Sequence, residues 1–284
     1  MRRRSTAPDR DAPVGVFDSG IGGLTVVRAL RRRLPDENIV YLGDTARVPY
    51  GTKSADTIRR FAVEDAWFLA GRGVKMIVVA CHSASSAALF ELQRRFAVPV
   101  LGVVEPGARA VVAATSRKKV GVVGTTATIS SAAYETAIRA LATDVEILAK
   151  ATPLFVPLAE EGWLDDEVAE GVARRYLSSF ADEGIDALLL GCTHFPLLMP
   201  VISRVLGPGI RLIDSSDETA VAAGQLLEKQ GITATKGPGS CRFYLTDLTP
   251  SFDRIGARFL GEPLGEVVRT SVTVCDNSST EGQV

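Results

Sequence analysis

Two histidines and four cysteines are all the soft metal ligands that this chain of 284 residues has, and no C-x-x-C spacing joins any of the cysteines. A structural zinc site and thioredoxin-like redox chemistry both lose support on that count. The 32 basic and 33 acidic residues nearly cancel, so there is no electrostatic case for binding nucleic acid or an anionic membrane. No apolar run approaches the roughly 20 residues that span a bilayer. The basic opening, Met1-Arg-Arg-Arg4, lacks the apolar stretch that a secretory signal needs, and residues 1–13 read as a frayed tail. The chain is expected to be cytoplasmic, with free thiols. What remains is a soluble globular composition, 46% hydrophobic and 23% charged, long enough for two ordinary domains.

Strand-like and helix-like stretches alternate from one end to the other. Strands are predicted over 14–17, 38–42, 74–80 and 98–104. Helices are predicted over 21–33, 54–70 and 83–96, the second capped by Ser54. This is the pattern of an α/β protein with a parallel sheet. It then begins again. Lys119-Val-Gly-Val-Val-Gly124 echoes Val14-Gly-Val-Phe-Asp18, the run 187–192 echoes 78–81, and 210–215 echoes 100–105. From Val14 to Val120 is 106 positions, from Cys81 to Cys192 is 111, and from Val103 to Ile213 is 110. A near-constant offset marks an internal duplication. The expected architecture is therefore two pseudo-symmetric α/β domains facing a central cleft. Residues 14–108 with 219–266 form the first and 109–218 the second, with tails at 1–13 and 267–284.

Cys81 and Cys192 end the two matching apolar runs, Met76-Ile-Val-Val-Ala-Cys81 and Ala187-Leu-Leu-Leu-Gly-Cys192. That is the carboxyl edge of a parallel sheet, where open α/β folds place their ligands. A single such thiol is as readily a buried small hydrophobe. Two in repeat-related contexts suggest a pair of acid/base groups facing one substrate, each with a helix start nearby to lower its pKa. Polar pairs follow both, His82-Ser83 and Thr193-His194. The turn Asp18-Ser-Gly-Ile-Gly-Gly23 is neither G-x-G-x-x-G nor a Walker loop, and suits a carboxylate as well as a phosphate. Asp18 in isolation reads sooner as a turn or cap residue than as a ligand contact. The loop 43–51, ending in Pro49-Tyr50-Gly51, lies on the same edge, and Glu160-Glu161 lie in its counterpart in the second half. Cys241 and Cys275 lack such settings and read as structural.

Together these strings resemble glutamate racemase, of the cofactor-independent aspartate/glutamate racemase superfamily. The strings are 15–25, 41–51, 79–81, 104–107, 153–157, 190–194 and the segment Thr246-x-x-x-x-x-Phe252. The resemblance implies interconversion of L- and D-glutamate, supplying D-glutamate for peptidoglycan, with no cofactor or metal and commonly as a homodimer. It implies that Cys81 and Cys192 are the two catalytic bases, Cys81 for D-glutamate and Cys192 for L-glutamate. Asp18, Glu160 and His194 would be auxiliary acid/base groups. Asp18, Ser19, Tyr50, Gly51, His82, Ser83, Thr193 and His194 would contact substrate. One departure stands out: the family usually has Cys-Asn-Thr where this chain has Cys81-His82-Ser83, and a histidine there can introduce charge. The rivals are a racemase of aspartate or another acidic amino acid, a catalytically weakened glutamate-binding relative, and a thiol-redox protein.

Overall fold

The computed structural model describes residues 9–248 and 252–272. The first half runs β1 (Val14–Asp18), α1 (Leu24–Arg33), β2 (Ile39–Gly43), α2 (Ala55–Ala70), β3 (Met76–Val79), α3 (His82–Arg95) and β4 (Val100–Gly102); α4 (Val104–Ala114), which begins before the expected boundary at 108/109, packs on the second sheet with Val120, Val122 and Leu189. The second runs β5 (Lys119–Gly124), α5 (Thr126–Ser130), α6 (Ala133–Leu141), β6 (Glu146–Ala151), α7 (Phe155–Glu161), α8 (Glu167–Asp182), β7 (Ala187–Gly191), α9 (Met199–Leu206) and β8 (Arg211–Asp214). A third segment adds α10 (Ser215–Gln230), β9 (Cys241–Leu245), α11 (Phe252–Leu260) and β10 (Val267–Arg269).

The strands form two sheets, ordered β10-β9-β2-β1-β3-β4 and β6-β5-β7-β8, with every pairing parallel. Strip β9 and β10 from the first and the two sheets share one order, 2-1-3-4. The duplication in the sequence is thus a duplication of topology. β1, β3 and β7 are buried along their whole length because helices cover both sheet faces, and that is why they read as unbroken apolar runs. Ser54 caps α2 by accepting from Thr57 N.

The third segment completes the first sheet. Ala220, Ala223 and Leu227 of α10 and Phe259 and Leu260 of α11 share one core with Val16, Leu30 and Tyr41. β9 pairs with β2 from Ile39↔Cys241 to Gly43↔Leu245.

Both tails, where described, are more tightly held than their polarity suggests. Val267–Arg269 forms an edge strand on β9, because two valines extend the chain along an otherwise unpaired edge. Asp11 accepts from the backbone of Thr235 and Lys236, and Arg10 Nε donates to Thr233 O. Residues 1–8 and 273–284, with Cys275, lie outside the described residues.

Lys75 enters β3 with its side chain 1% exposed and pairs with Glu37, 3% exposed. Glu37 Oε1 also accepts from Ala234 N, so this pair ties the third segment to the first sheet. Lys75→Ala leaves Glu37 as an uncompensated buried charge. It should cost about 3–5 kcal/mol in urea unfolding, and an unchanged unfolding midpoint would contradict that.

Candidate active site

A cavity of about 360 Å³ lies at the carboxyl edges of both sheets. The glycine-rich turn after β1 and the loops after β2 and β3 enclose it from the first half. The turns after β5, β6 and β7 enclose it from the second. Ser19, Tyr50, Gly51, Cys81, His82, Ser83, Glu160, Cys192, Thr193 and His194 all line it. Asp18 stands behind this wall with no exposure. The two halves meet where neither has room to spare. A Cβ on Gly22 would lie 2.3 Å from Thr193 Oγ1 and 2.6 Å from His194 Nδ1, and one on Gly51 would lie 2.6 Å from Thr125 Cβ. Glycine at both places allows the approach.

The cysteines occupy matching places, just past β3 and just past β7, but their neighbours differ. Cys81 caps α3, with Sγ accepting from Ala84 N at 3.4 Å, and its thiol donates to Ser19 Oγ at 3.5 Å. The helix start was expected to lower this thiol's pKa. The opposite holds: burial first, then the nearby Asp18, pushes it up to about 12, and these outweigh the two hydrogen bonds. Asp18 is itself raised by burial, opposed by His194 and by N–H groups of Gly23, Gly20 and Ser19. Its Oδ2 accepts from Gly20 N at 3.0 Å, while Oδ1 has no partner among the described residues.

Cys192 instead faces a histidine. Its Sγ lies 3.8 Å from His194 Nδ1, and His194 Nε2 lies 3.0 Å from Glu160 Oε1. Burial alone would depress His194. Hydrogen bonds to Cys192 and Glu160, with their charges, reverse that and raise it to about 10. The second half therefore holds an imidazolium between the Cys192 sulfur and a carboxylate. Glu161, beside Glu160, is exposed.

His82 does not bring the charge its identity suggested. Burial, with His194 nearby, pushes it down to about 3, so the ring is neutral, and Nε2 lies 2.9 Å from Ser215 Oγ. Tyr50 lines the cavity, but its hydroxyl turns away from it. The hydroxyl lies within hydrogen-bond reach of Asp44 and, at 2.9 Å, of Asp65 Oδ2, inside a buried cluster that Arg47 joins through both carboxylates. Only the remainder of Tyr50, with Gly51, is left for a ligand.

Ser83 Oγ bonds Thr125 Oγ1 at 2.9 Å and Thr128 Oγ1 at 3.3 Å, a hydroxyl cluster spanning the halves. Thr125 and Thr126 line the cavity and were not anticipated. The signal was present: the offset of 106 positions carries Ser19 onto Thr125. Cys241 lies on β9, away from the cavity. Among the described residues no group of three histidine, cysteine or acidic side chains could hold a metal ion.

Known proteins resemble this chain in sequence and in fold. The family model described as Asp/Glu/Hydantoin racemase matches residues 24–223. A glutamate racemase of Geobacter metallireducens is 48% identical over 260 residues, covering 91% of this chain and 96% of that protein. The crystal structure of glutamate racemase from Francisella tularensis in complex with D-glutamate superposes with a TM-score of 0.88 at 39% identity, covering 93% of this chain and 98% of that one. The Thermus thermophilus glutamate racemase in complex with β-chloro-D-alanine gives 0.84 at 50% identity, with 93% and 98% covered.

His194 should be protonated at neutral pH and titrate near 10 by NMR, and Glu160→Gln should bring that midpoint down. A neutral ring at neutral pH rules the arrangement out. A raised pKa contributes stability that is full below the ordinary 6.5 and lost as pH climbs through about 10. The unfolding free-energy gap between wild type and Glu160→Gln should close over that window.

Proposed function

The chain belongs to the Asp/Glu/Hydantoin racemase family, and from that premise we propose that it racemises glutamate between its L and D forms by a cofactor-independent, two-base mechanism. One observation carries the reading. Two cysteines, at equivalent strand ends of two duplicated sheets, line a single cavity from its two sides of origin. The glutamate racemases at 48% identity and the superposed structure bound to D-glutamate support the choice of substrate.

Racemisation requires a proton to leave one face of Cα and another to arrive on the opposite face. A single base would have to cross the molecule; two fixed bases need not. In each direction one cysteine acts as thiolate and the other as thiol. Cys192 takes the proton from L-glutamate, with His194 and Glu160 supplying the cation that stabilises its thiolate. Cys81 returns a proton on the other face; its raised pKa suits it to hold one. In reverse, Cys81 takes the proton from D-glutamate, with Asp18 behind it. The carbanion is stabilised by fixed donors on the carboxylate, drawn from the hydroxyls of Ser19, Ser83 and Thr193 and the loop at Tyr50–Gly51. Neutral His82 orients the ligand without adding charge. Closure of the halves excludes water.

The same family reading supports an enzyme of the cytoplasm that works as a homodimer and supplies D-glutamate to peptidoglycan. Among the described residues no helix is long and apolar enough to cross a membrane.

The deciding experiment is incubation with L-glutamate in D₂O without added cofactor. Deuterium at Cα together with D-glutamate is the expected product. Turnover of aspartate in its place, or binding of glutamate without exchange, would replace this reading with one of its rivals. Cys81→Ser and Cys192→Ser should each abolish racemisation, and full turnover in either defeats the two-base mechanism. Gly22→Ala, whose methyl collides with Thr193 and His194, should lower kcat/KM by about 100-fold.

A further inference from the structure

Helix α11 belongs to the first sheet's side of the molecule, yet two of its consecutive residues reach the second half, one at His194 and the other at the end of α7. Phe259, fully buried, sets its ring edge-on to the His194 imidazole, with centroids 5.1 Å apart and planes at 74°. The Arg258 guanidinium lies against Gly162: a Cβ built there would fall 1.9 Å from Nη1 and 2.7 Å from Cζ. Gly162 is the left-handed residue, φ 83°, that ends α7. Both Gly162 N and Trp163 N donate to Leu158 O. The later carbonyls of α7, its negative end, are thus left to other donors. Arg258 Nη1 is buried and finds no hydrogen-bond partner among the described residues. α7 in turn carries Glu160, whose carboxylate holds His194 Nε2.

We propose that Arg258 is a positioning residue for the Cys192 base: from the opposite half it clamps the end of α7 and, with Phe259, keeps Glu160 and His194 in line with the Cys192 sulfur. This rests on the reading of Cys192 as a base. His194 is faced by Cys192 and Thr193 from its own loop, Glu160 from α7, Asp18 and His82 from the first half, and Phe259 from α11. Of these, Glu160 is the group whose place depends on α7. Releasing α7 loosens the carboxylate from Nε2 and weakens the hold on the imidazolium proton. Cys192 then loses the cation beside its sulfur. Cys81 depends on Ser19, Asp18 and the Ala84 N–H, none of which the clamp touches. Because α11 packs on α1 in the first-sheet core, the arrangement of the halves and the readiness of Cys192 become one event.

The test is alkylation by iodoacetamide, followed at each cysteine peptide by mass spectrometry across neutral to alkaline pH in the full-length protein. It reads thiolate directly and needs no turnover, so it stands apart from the racemase assay. Arg258→Ala should slow labelling of Cys192 several-fold at neutral pH and leave Cys81 as in wild type. Arg258→Lys should restore most of the rate. Equal changes at both cysteines, or none at Cys192, would overturn the clamp. Should Arg258→Ala fail to fold by circular dichroism, Arg258→Gln decides, since it removes the charge while keeping most of the side chain. The same selective loss at Cys192 supports the proposal, and unchanged labelling refutes it.

Discussion

Gly22 has space for a hydrogen and nothing larger, because the turn after β1 rests on the side chains of Thr193 and His194 from the other half. Gly51 repeats the constraint against Thr125. Those two approaches bring the carboxyl edges of separate sheets around one small cavity. Each sheet alone would present one cysteine to solvent at a strand end. Pressed together, they present two to the same volume. The glycine content of the first turn therefore serves chain packing across the halves more than ligand contact. That explains why the turn fits neither nucleotide-binding pattern although it sits where such patterns occur.

Duplication supplies symmetry of backbone, and chemistry in both directions needs asymmetry of charge. The residues on either side of each cysteine provide it. The counterpart of Asp18 at offset 106 is Gly124, so only the first half carries a carboxyl group behind its wall. Glu160 and His194 act only in the second. The two histidines mark the difference most clearly. His82 follows its cysteine by one position and His194 by two. His82 opens α3, whereas His194 lies in a turn with no α-helix directly behind it. His82 is directed to the neutral hydroxyl of Ser215 and is held uncharged; His194 lies between a sulfur and a carboxylate and is held charged. Similar residues in similar contexts thus end on opposite sides of neutral pH, and hydrogen-bond partners decide which.

How much of this the sequence displayed follows from burial. β1, β3 and β7 were legible because both faces of each are covered and every residue is apolar. β6 was not: it is an edge strand, partly exposed throughout, and its Glu146 and Lys150 break any pattern. β10 was hidden for the same reason. The cavity wall was largely readable, since Cys81, Cys192, Ser19, Gly51, Ser83, Thr193 and His194 follow strand ends in sequence. What could not be read was direction and charge. The Tyr50 hydroxyl turns into a cluster with Asp44 and Asp65, fifteen residues away on α2. The pKa of Cys81 depends on burial, which no local motif records.

The third segment supplies what a duplicated sheet could not. Two identical halves would meet symmetrically and give both cysteines the same surroundings, favouring neither thiol nor thiolate at either one. β9 and α11 have no counterpart in the second half, and both join the core of the first sheet. From there α11 crosses to lay Phe259 beside His194. An apolar ring edge at that point excludes water from one side of the imidazole, and exclusion strengthens the pairing with Glu160 and Cys192. A segment that looks like an appendage to the first domain is in this way part of the electrostatics of the second. It adds to the distinction between the two bases that Asp18, Glu160 and His194 already make.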